Sequence, residues 1–256
     1  MRVFRLVVLA LLCYVVAMVA LFPAAPIVDR IRPQLGPVAL EGVSGKLFSG
    51  RVERVASTDD LLPLEASNVR WRLAPLSLLK GGGAHVELDA YGGTTTAFVL
   101  RRWNGDIEVS DIELRARAKT LEPLLPAPIA AFDGALAADV ATVLLEDQLL
   151  KQVDGQITWS EAALERPLAA QFGTIRIDVS PNSDGTHAGN MSASGGDIDG
   201  DGSFTLAPNG DFTLDALLTP ASTAPAELVN SLKSVVQPDA SGRYRVQRSG
   251  NVNRLL

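Results

Sequence analysis

At 256 residues, 47% of them hydrophobic and only 5% aromatic, the chain is long enough for one or two domains around a sizeable core. Its 23 basic and 29 acidic residues give a net charge of −6, with no basic stripe or interleaved aromatics, which argues against nucleic-acid binding. A single cysteine, Cys13, excludes an intrachain disulfide, and two histidines without a usable cysteine exclude a standard zinc site.

The first element is apolar. "LVVLALLCYVVAMVALF" runs from Leu6 to Phe22 without a charge, behind Arg2 and Arg5. At about 1.5 Å per residue it spans roughly 26 Å, close to a hydrocarbon core of about 30 Å. A cleaved signal peptide has a shorter apolar region, of about 7–15 residues. The exit "LFPAAPIVDR" offers no good small-x-small cleavage site, and a cut after Ala25 puts Pro26 first. We therefore expect an uncleaved transmembrane helix in residues 1–26, through Leu6, Leu11, Tyr14, Val19 and Phe22, with Cys13 as a small apolar packer in the bilayer. Arg2 and Arg5 favour a cytoplasmic N-terminus and an exported body, although Arg30 and Arg32 weaken the asymmetry. Without those two leading arginines, 21 basic residues face 29 acidic ones, a balance of −8. So acidic a body gains nothing overall from an anionic membrane surface.

Beyond the anchor one pattern recurs: a glycine, then apolar side chains at the second and fourth positions after it. Gly105 leads to Ile107 and Val109, Gly134 to Leu136 and Ala138, and Gly155 to Ile157 and Trp159. Gly173 leads to Ile175 and Ile177, Gly202 to Phe204 and Leu206, Gly210 to Phe212 and Leu214, and Gly242 to Tyr244 and Val246. A period of two marks a strand with one buried face, and the glycine marks a turn or bulge. The fold class is mainly β: a curved, largely antiparallel sheet, open or half-barrel or sandwich-like, with one or two short helices. The proline-rich "LEPLLPAPI", 121–129, allows no more than one helical turn and reads as a hinge between a first β half, 27–129, and a second, 130–256.

In the second half, "GGDIDGDGSF" places Asp197, Asp199 and Asp201 at alternate positions, like the front of a calcium loop. Such a loop needs a bidentate carboxylate at its twelfth position, which here is Pro208. The better reading is a strand with Ile198, Gly200, Gly202, Phe204 and Leu206 on one face and a solvated acidic face opposite. Asn209-Gly210 then turns the chain into the next strand. In "TAPAELVNSLKSVVQP", Leu228, Val229, Leu232, Val235 and Val236 share a helical face, so a helix is expected from Pro225 to Val236, against the sheet or capping its end.

No catalytic constellation stands out. His85 alternates against Val86 and Leu88 and reads as an exposed strand residue; His187, in "PNSDGTHAGN", reads as a surface residue of a turn. Ser44 lies between glycines without forming the G-x-S-x-G elbow. Lys80 precedes its three glycines, whereas a phosphate loop places lysine after them. Glu108, Asp111 and Glu113 read as a solvated strand face. The expectation is a protein that is not an enzyme, with no cofactor, no metal and no small-molecule substrate.

Two longer stretches carry a resemblance. "GVSGKLFSGR", 42–51, is followed by Trp71-x-Leu73-x-Pro75-Leu76-x-Leu78-Leu79-x-Gly81, and later come "GQITW" from Gly155 to Trp159 and "SGRYRVQRSG" around Tyr244. With the "FPA" exit of the anchor, these landmarks, in this order across essentially the whole chain, resemble the type II secretion system protein N family. Phe48 stands where the family pattern leads one to expect tryptophan. The resemblance implies a single-pass bacterial inner-membrane protein with a periplasmic body, working with other type II secretion proteins, and kinship to the AsmA-like group of curved sheets with an apolar groove. A lipid-binding or lipid-bridging module using that groove is the alternative reading. The landmarks of structure or interaction are Gly45, Phe48, Gly50, Trp71, Pro75, Leu79, Gly81, Gly155, Trp159 and Tyr244. Trp71 and Trp159 are read either as equivalent marks of a duplicated half or as the largest side chain of a core strand each.

Overall fold

The computed structural model describes residues 14, 18, 21–31, 38–57, 65–124, 131–146, 149–166 and 168–251. After a short helix α1 (Ala25–Ile31) come β1 (Val38–Glu41), β2 (Ser44–Gly45), β3 (Ser49–Ser57), β4 (Glu65–Leu73), β5 (Gly81–Ala90), β6 (Gly93–Arg102) and β7 (Ile107–Arg117). Then follow β8 (Ala131–Glu146), β9 (Leu149–Arg166), β10 (Ala170–Pro181), β11 (His187–Ser194), β12 (Ile198–Leu206), β13 (Asp211–Pro220), helix α2 (Ala226–Val235) and β14 (Tyr244–Asn251). Pro75–Leu79 and Ala118–Leu124 form 3-10 turns; of the proline-rich link only 121–124 is helical, about one turn, and 125–129 lie outside the described residues.

All fourteen strands form one antiparallel sheet in which each main strand pairs with the next along the chain, from β1 at one edge to β14 at the other, with β2 paired only to β3. The expectation of a mainly β antiparallel body holds, and the sheet is open: β1 and β14 do not pair. Among the described residues all strands lie in this one sheet, with no second sheet packed on it as in a sandwich. β7 pairs directly with β8 from Ile107–Leu145 to Arg117–Ala135, and the sheet runs on across the proline-rich link.

Bulges keep the apolar residues on one face. In β4 the apolar spacing lengthens from two to three between Ala66 and Val69, in β7 between Val109 and Ile112, and in β9 between Trp159 and Ala162. Within each gap sits a non-glycine residue in the left-handed region: Asn68 (φ 53), Asp111 (φ 51) and Glu161 (φ 51). The strand registers shift at the same places. An extra residue at such a bulge restores the alternation that a straight strand would invert. β10 does the same between Phe172 and Ile175, at Gly173 (φ 67).

The core is thin. The chain exposes 16675 Å², against about 10,900 Å² for a compact monomer of this mass. No large side chain is fully buried, and most of the buried apolar residues are alanines. A real cluster forms at one corner, where Leu228 of α2 packs on Ala170 and Ile198 with Phe172, Leu218 and Leu232 around them. α2 matches the expected helix to within a residue and caps the strand ends, but Val235 of its expected stripe is exposed.

One other expectation needs correction. His187 is not on the surface: it opens β11, is 3% exposed, and its Nε2 accepts the Val153 N–H at 3.0 Å. The β9–β10 register ends at Val179–Gly155, so Val153 has no strand partner on that side and the imidazole takes the place of a carbonyl. The hairpin expected at Asn209-Gly210 forms, its turn closed by Gly210 N–H on the Ala207 carbonyl with Gly210 left-handed (φ 86).

Of the expected anchor, Leu6, Leu11 and Val19 lie outside the described residues; Tyr14 is helical and exposed, and Phe22 ends the run. Among the described residues no helix is long and apolar enough to cross a membrane.

Candidate functional site: the uncovered apolar face

The alternation sorts the sheet into two chemically distinct faces. On one, charged residues face each other across strands: Arg54–Glu65 (2.5 Å), Arg70–Glu87 (3.6 Å), Arg115–Asp139 (2.8 Å) and Arg245–Asp215 (2.5 Å). All are solvent-exposed and screened, so each contributes little to stability. On β14, hydrogen bonds from Arg245 and then Gln247 lower the Asp215 carboxyl from its ordinary 3.8 to about 2. Glu108 is paired with Arg102 at 2.7 Å.

The other face is apolar from edge to edge. One cross-strand row runs Leu136, Trp159, Ile175, Ala193, Gly200, Leu218 and Tyr244, through β8 to β14. Apart from α2 at its corner, no described element covers it, and Ile157 in the next row is 39% exposed. A small apolar pocket of 160 Å³ opens there between Phe172, Ile175, Met191, Ile198 and Leu218.

Aromatic rings cover glycine backbone on this face. Trp71 lies directly across from Gly50, and a Cβ on Gly50 would sit 2.1 Å from the indole. Phe204 covers Gly189 in the same way, also 2.1 Å from such a Cβ. With so few aromatics in the chain, placing a ring opposite a glycine shields the most backbone per ring. Trp159 leans instead on the Gly134 bulge and meets Phe132 edge-on at 5.8 Å. Both indoles donate their N–H to a backbone carbonyl, Trp71 to Leu47 at 3.0 Å and Trp159 to Asp133 at 2.9 Å.

The remaining landmarks are backbone supports. Gly45, left-handed, pairs with Gly50 in the β2–β3 hairpin, and the Phe48 carbonyl accepts the Leu73 N–H at 2.8 Å. Gly81 faces Arg102, Gly155 faces Val140 at a register shift, and Tyr244 is buried at the start of β14. Pro75 starts the 3-10 turn that ends at Leu79. These landmarks do not converge on one pocket: they are spread along the sheet.

In the first strands a groove of 620 Å³ is lined by charged residues such as Arg70, Arg72 and Glu87 together with His85, Trp71 and Val86. His85 is exposed, as expected, and stacks obliquely on Phe98 at 4.8 Å. No serine or carboxylate is positioned by it. Asp197 and Asp199 serve the backbone, accepting the N–H groups of Gln171 (2.7 Å) and Gly195 (3.0 Å). Among the described residues no group of three His, Cys, Asp or Glu side chains could hold a metal ion.

Sequence reading passed over Trp103 and the burial of His187. A period-two template cannot find a ring in a turn, and the turn-like "PNSDG" before His187 hid its place on a strand.

The family model described as "Type II secretion system (T2SS), protein N" matches residues 36–247 of the chain. A Type II secretion system protein N from Vibrio cholerae serotype O1 is 27% identical over 225 residues, covering 83% of this chain and 84% of the relative. Another of that name, from Aeromonas hydrophila, is 24% identical over 250 residues, covering 95% and 96%. No solved structure matches.

Proposed function

The chain belongs to the type II secretion system protein N family, and on that premise we propose that it is a non-catalytic, inner-membrane-anchored accessory component of that secretion apparatus. Its apolar N-terminal run holds the β body on the periplasmic side, where the body contacts other secretion proteins. The observation that carries this reading is the open sheet: among the described residues each edge strand pairs with one strand, and only α2 covers part of the apolar face. Unpaired strand edges recruit partners by strand addition. β14, eight residues long, is the better candidate, since β1 has only four. An apolar surface of this extent on an otherwise hydrophilic body is a contact surface.

The test is mass spectrometry of the proteins and lipids that co-purify with the full-length protein from native membranes in mild detergent. Secretion-apparatus subunits at a near-fixed ratio support the proposal, and deletion of the gene is expected to impair secretion. Unchanged secretion across several substrates and growth conditions counts heavily against it. A second reading, lipid binding along the apolar face, is favoured by the pocket at Phe172, Met191 and Leu218. Stoichiometric phospholipid without secretion subunits makes that reading the primary one.

A further inference from the structure

Leu76 is 83% exposed, Leu79 84% and Trp103 75%, although the same chain leaves few other large apolar side chains so open. The three belong to neighbouring turns: the Trp103 N–H donates to the Lys80 carbonyl at 3.3 Å, joining the β6–β7 turn to the 3-10 turn that holds both leucines. Lys80 and Arg101 flank them and form no ion pair among the described residues.

Backbone bonds trace this cluster to the end of the apolar N-terminal run. The Leu47 N–H donates to the Phe22 carbonyl (2.9 Å), the Ala24 N–H to the Gly45 carbonyl (3.1 Å), and the Leu73 N–H to the Phe48 carbonyl (2.8 Å). β4 then leads straight into the 3-10 turn. Five strand spacings of about 4.8 Å separate the 22–24 segment from β6, so Trp103 lies within roughly 25 Å of the point where the run ends, at the same end of the strands. Past the β8–β9 end, where Leu150 is 38% exposed, the character reverses. The β10–β11 turn is Asn182-Ser183-Asp184-Gly185, and the β12–β13 turn carries Pro208, Asn209 and Gly210. Leucine, tryptophan and unpaired cations are thus concentrated on the stretch of rim beside the run's end.

We propose that the rim formed by Leu76, Leu79 and Trp103, with Lys80 and Arg101, rests in the headgroup layer of the bilayer into which residues 6–22 insert, tilting the sheet so that its first strands stand on the membrane. This rests on the anchor reading above. Tryptophan settles at headgroup level, and leucine enters the acyl boundary. The cations meet lipid phosphate. The acidity of the body does not oppose this, because screening over about 8 Å leaves the rim's own charges to decide.

The test uses the full-length protein with Cys13→Ser, carrying one of Tyr14→Cys, Leu79→Cys, Trp103→Cys or Ser183→Cys and an environment-sensitive fluorophore. Each variant is reconstituted into vesicles of phosphatidylethanolamine and phosphatidylglycerol containing a lipid spin-labelled near the headgroup, to read positions 79, 103 and 183, or deep in the acyl chain, to read position 14. Probes at 79 and 103 are expected to shift to the blue and be quenched, while the probe at 183 stays water-exposed and unquenched. Quenching at 14 without quenching at 79 and 103 overturns the rim contact and leaves the anchor standing. No quenching at 14 overturns the anchor itself. In cells, a photo-crosslinker at 79 or 103 that yields protein adducts and no lipid adducts assigns the rim to a protein partner and also overturns the proposal.

Discussion

Trp71 and Trp159 occupy similar positions on the same apolar face, yet their surroundings differ. Each donates its indole N–H to a carbonyl of a neighbouring segment and each shields a glycine. Trp71 covers the ordinary strand glycine Gly50, lines the open groove and bonds the carbonyl of Leu47, whose N–H donates to Phe22 at the end of the N-terminal run. Trp159 stands against a left-handed glycine in a bulge, edge-on to Phe132, over a pocket with Ala118, Leu121 and Leu136. The same residue thus ties an interior strand to the Leu47 segment in one region and borders an apolar pocket in the other.

The largest effect expected is therefore from Trp159→Ala. It should cost about 2 kcal/mol, because it removes the half-buried ring that meets Phe132 edge-on and borders the apolar pocket with Leu121 and Leu136. Trp71→Ala should cost clearly less in denaturant unfolding of the full-length protein. Equal losses would make the two sites energetically equivalent and erase the contrast.

The glycines sharpen the same comparison. Gly134→Ala forces a Cβ into the left-handed region at φ 111, within 2.6 Å of the Ser160 carbonyl, and about 2 kcal/mol is expected. Gly50 has no such backbone strain and its closest clash is with the Trp71 ring. Gly50→Ala should cost less, and part of its cost should vanish in a Trp71→Ala background; additivity of the pair would show that the ring does not rest on the glycine. His187→Phe strands the Val153 N–H in a buried place, for about 1–2 kcal/mol. Amide exchange at Val153 should quicken, and unchanged protection would remove the role given to the imidazole.

Trp71→Phe and Trp159→Phe each delete one indole hydrogen bond while keeping a ring. A loss of about 1 kcal/mol is expected at both, and a large inequality would mean that only one indole bond persists in solution. The smallest effect concerns pH at the far edge. Because Asp215 is held down at about 2 by Arg245 and Gln247, its contribution is complete above the ordinary 3.8 and is lost as pH falls through about 2. Amide exchange in β14 should rise over that window, and Asp215→Asn should abolish the step.

Much of the fold is legible in local pattern. Ile198, Phe204 and Leu206 announce a one-faced strand, Gly210 a turn, and Leu228 and Leu232 a helix, because each signal is carried by residues a few positions apart. The bulges were legible in part, since the threefold apolar gaps at Ala66–Val69, Val109–Ile112 and Trp159–Ala162 each mark one; a strict template of two passes over them. The rim was only half legible: Pro75 and Leu79 stand out as landmarks, but nothing near Trp103 in sequence tells that its turn lies beside theirs.

By itself, then, the sequence determined the strand periodicity, the apolar and polar faces, the capping helix and the family, all of which depend on side-chain type and short spacing. Tertiary structure alone decided that the sheet stays open, which glycine each aromatic covers, that His187 is buried, and that Trp103 joins Leu76 and Leu79 near the end of the N-terminal run. Those facts depend on register between strands. Register is set by the summed fit of many cross-strand pairs and by each bulge along the way, so no local stretch contains it.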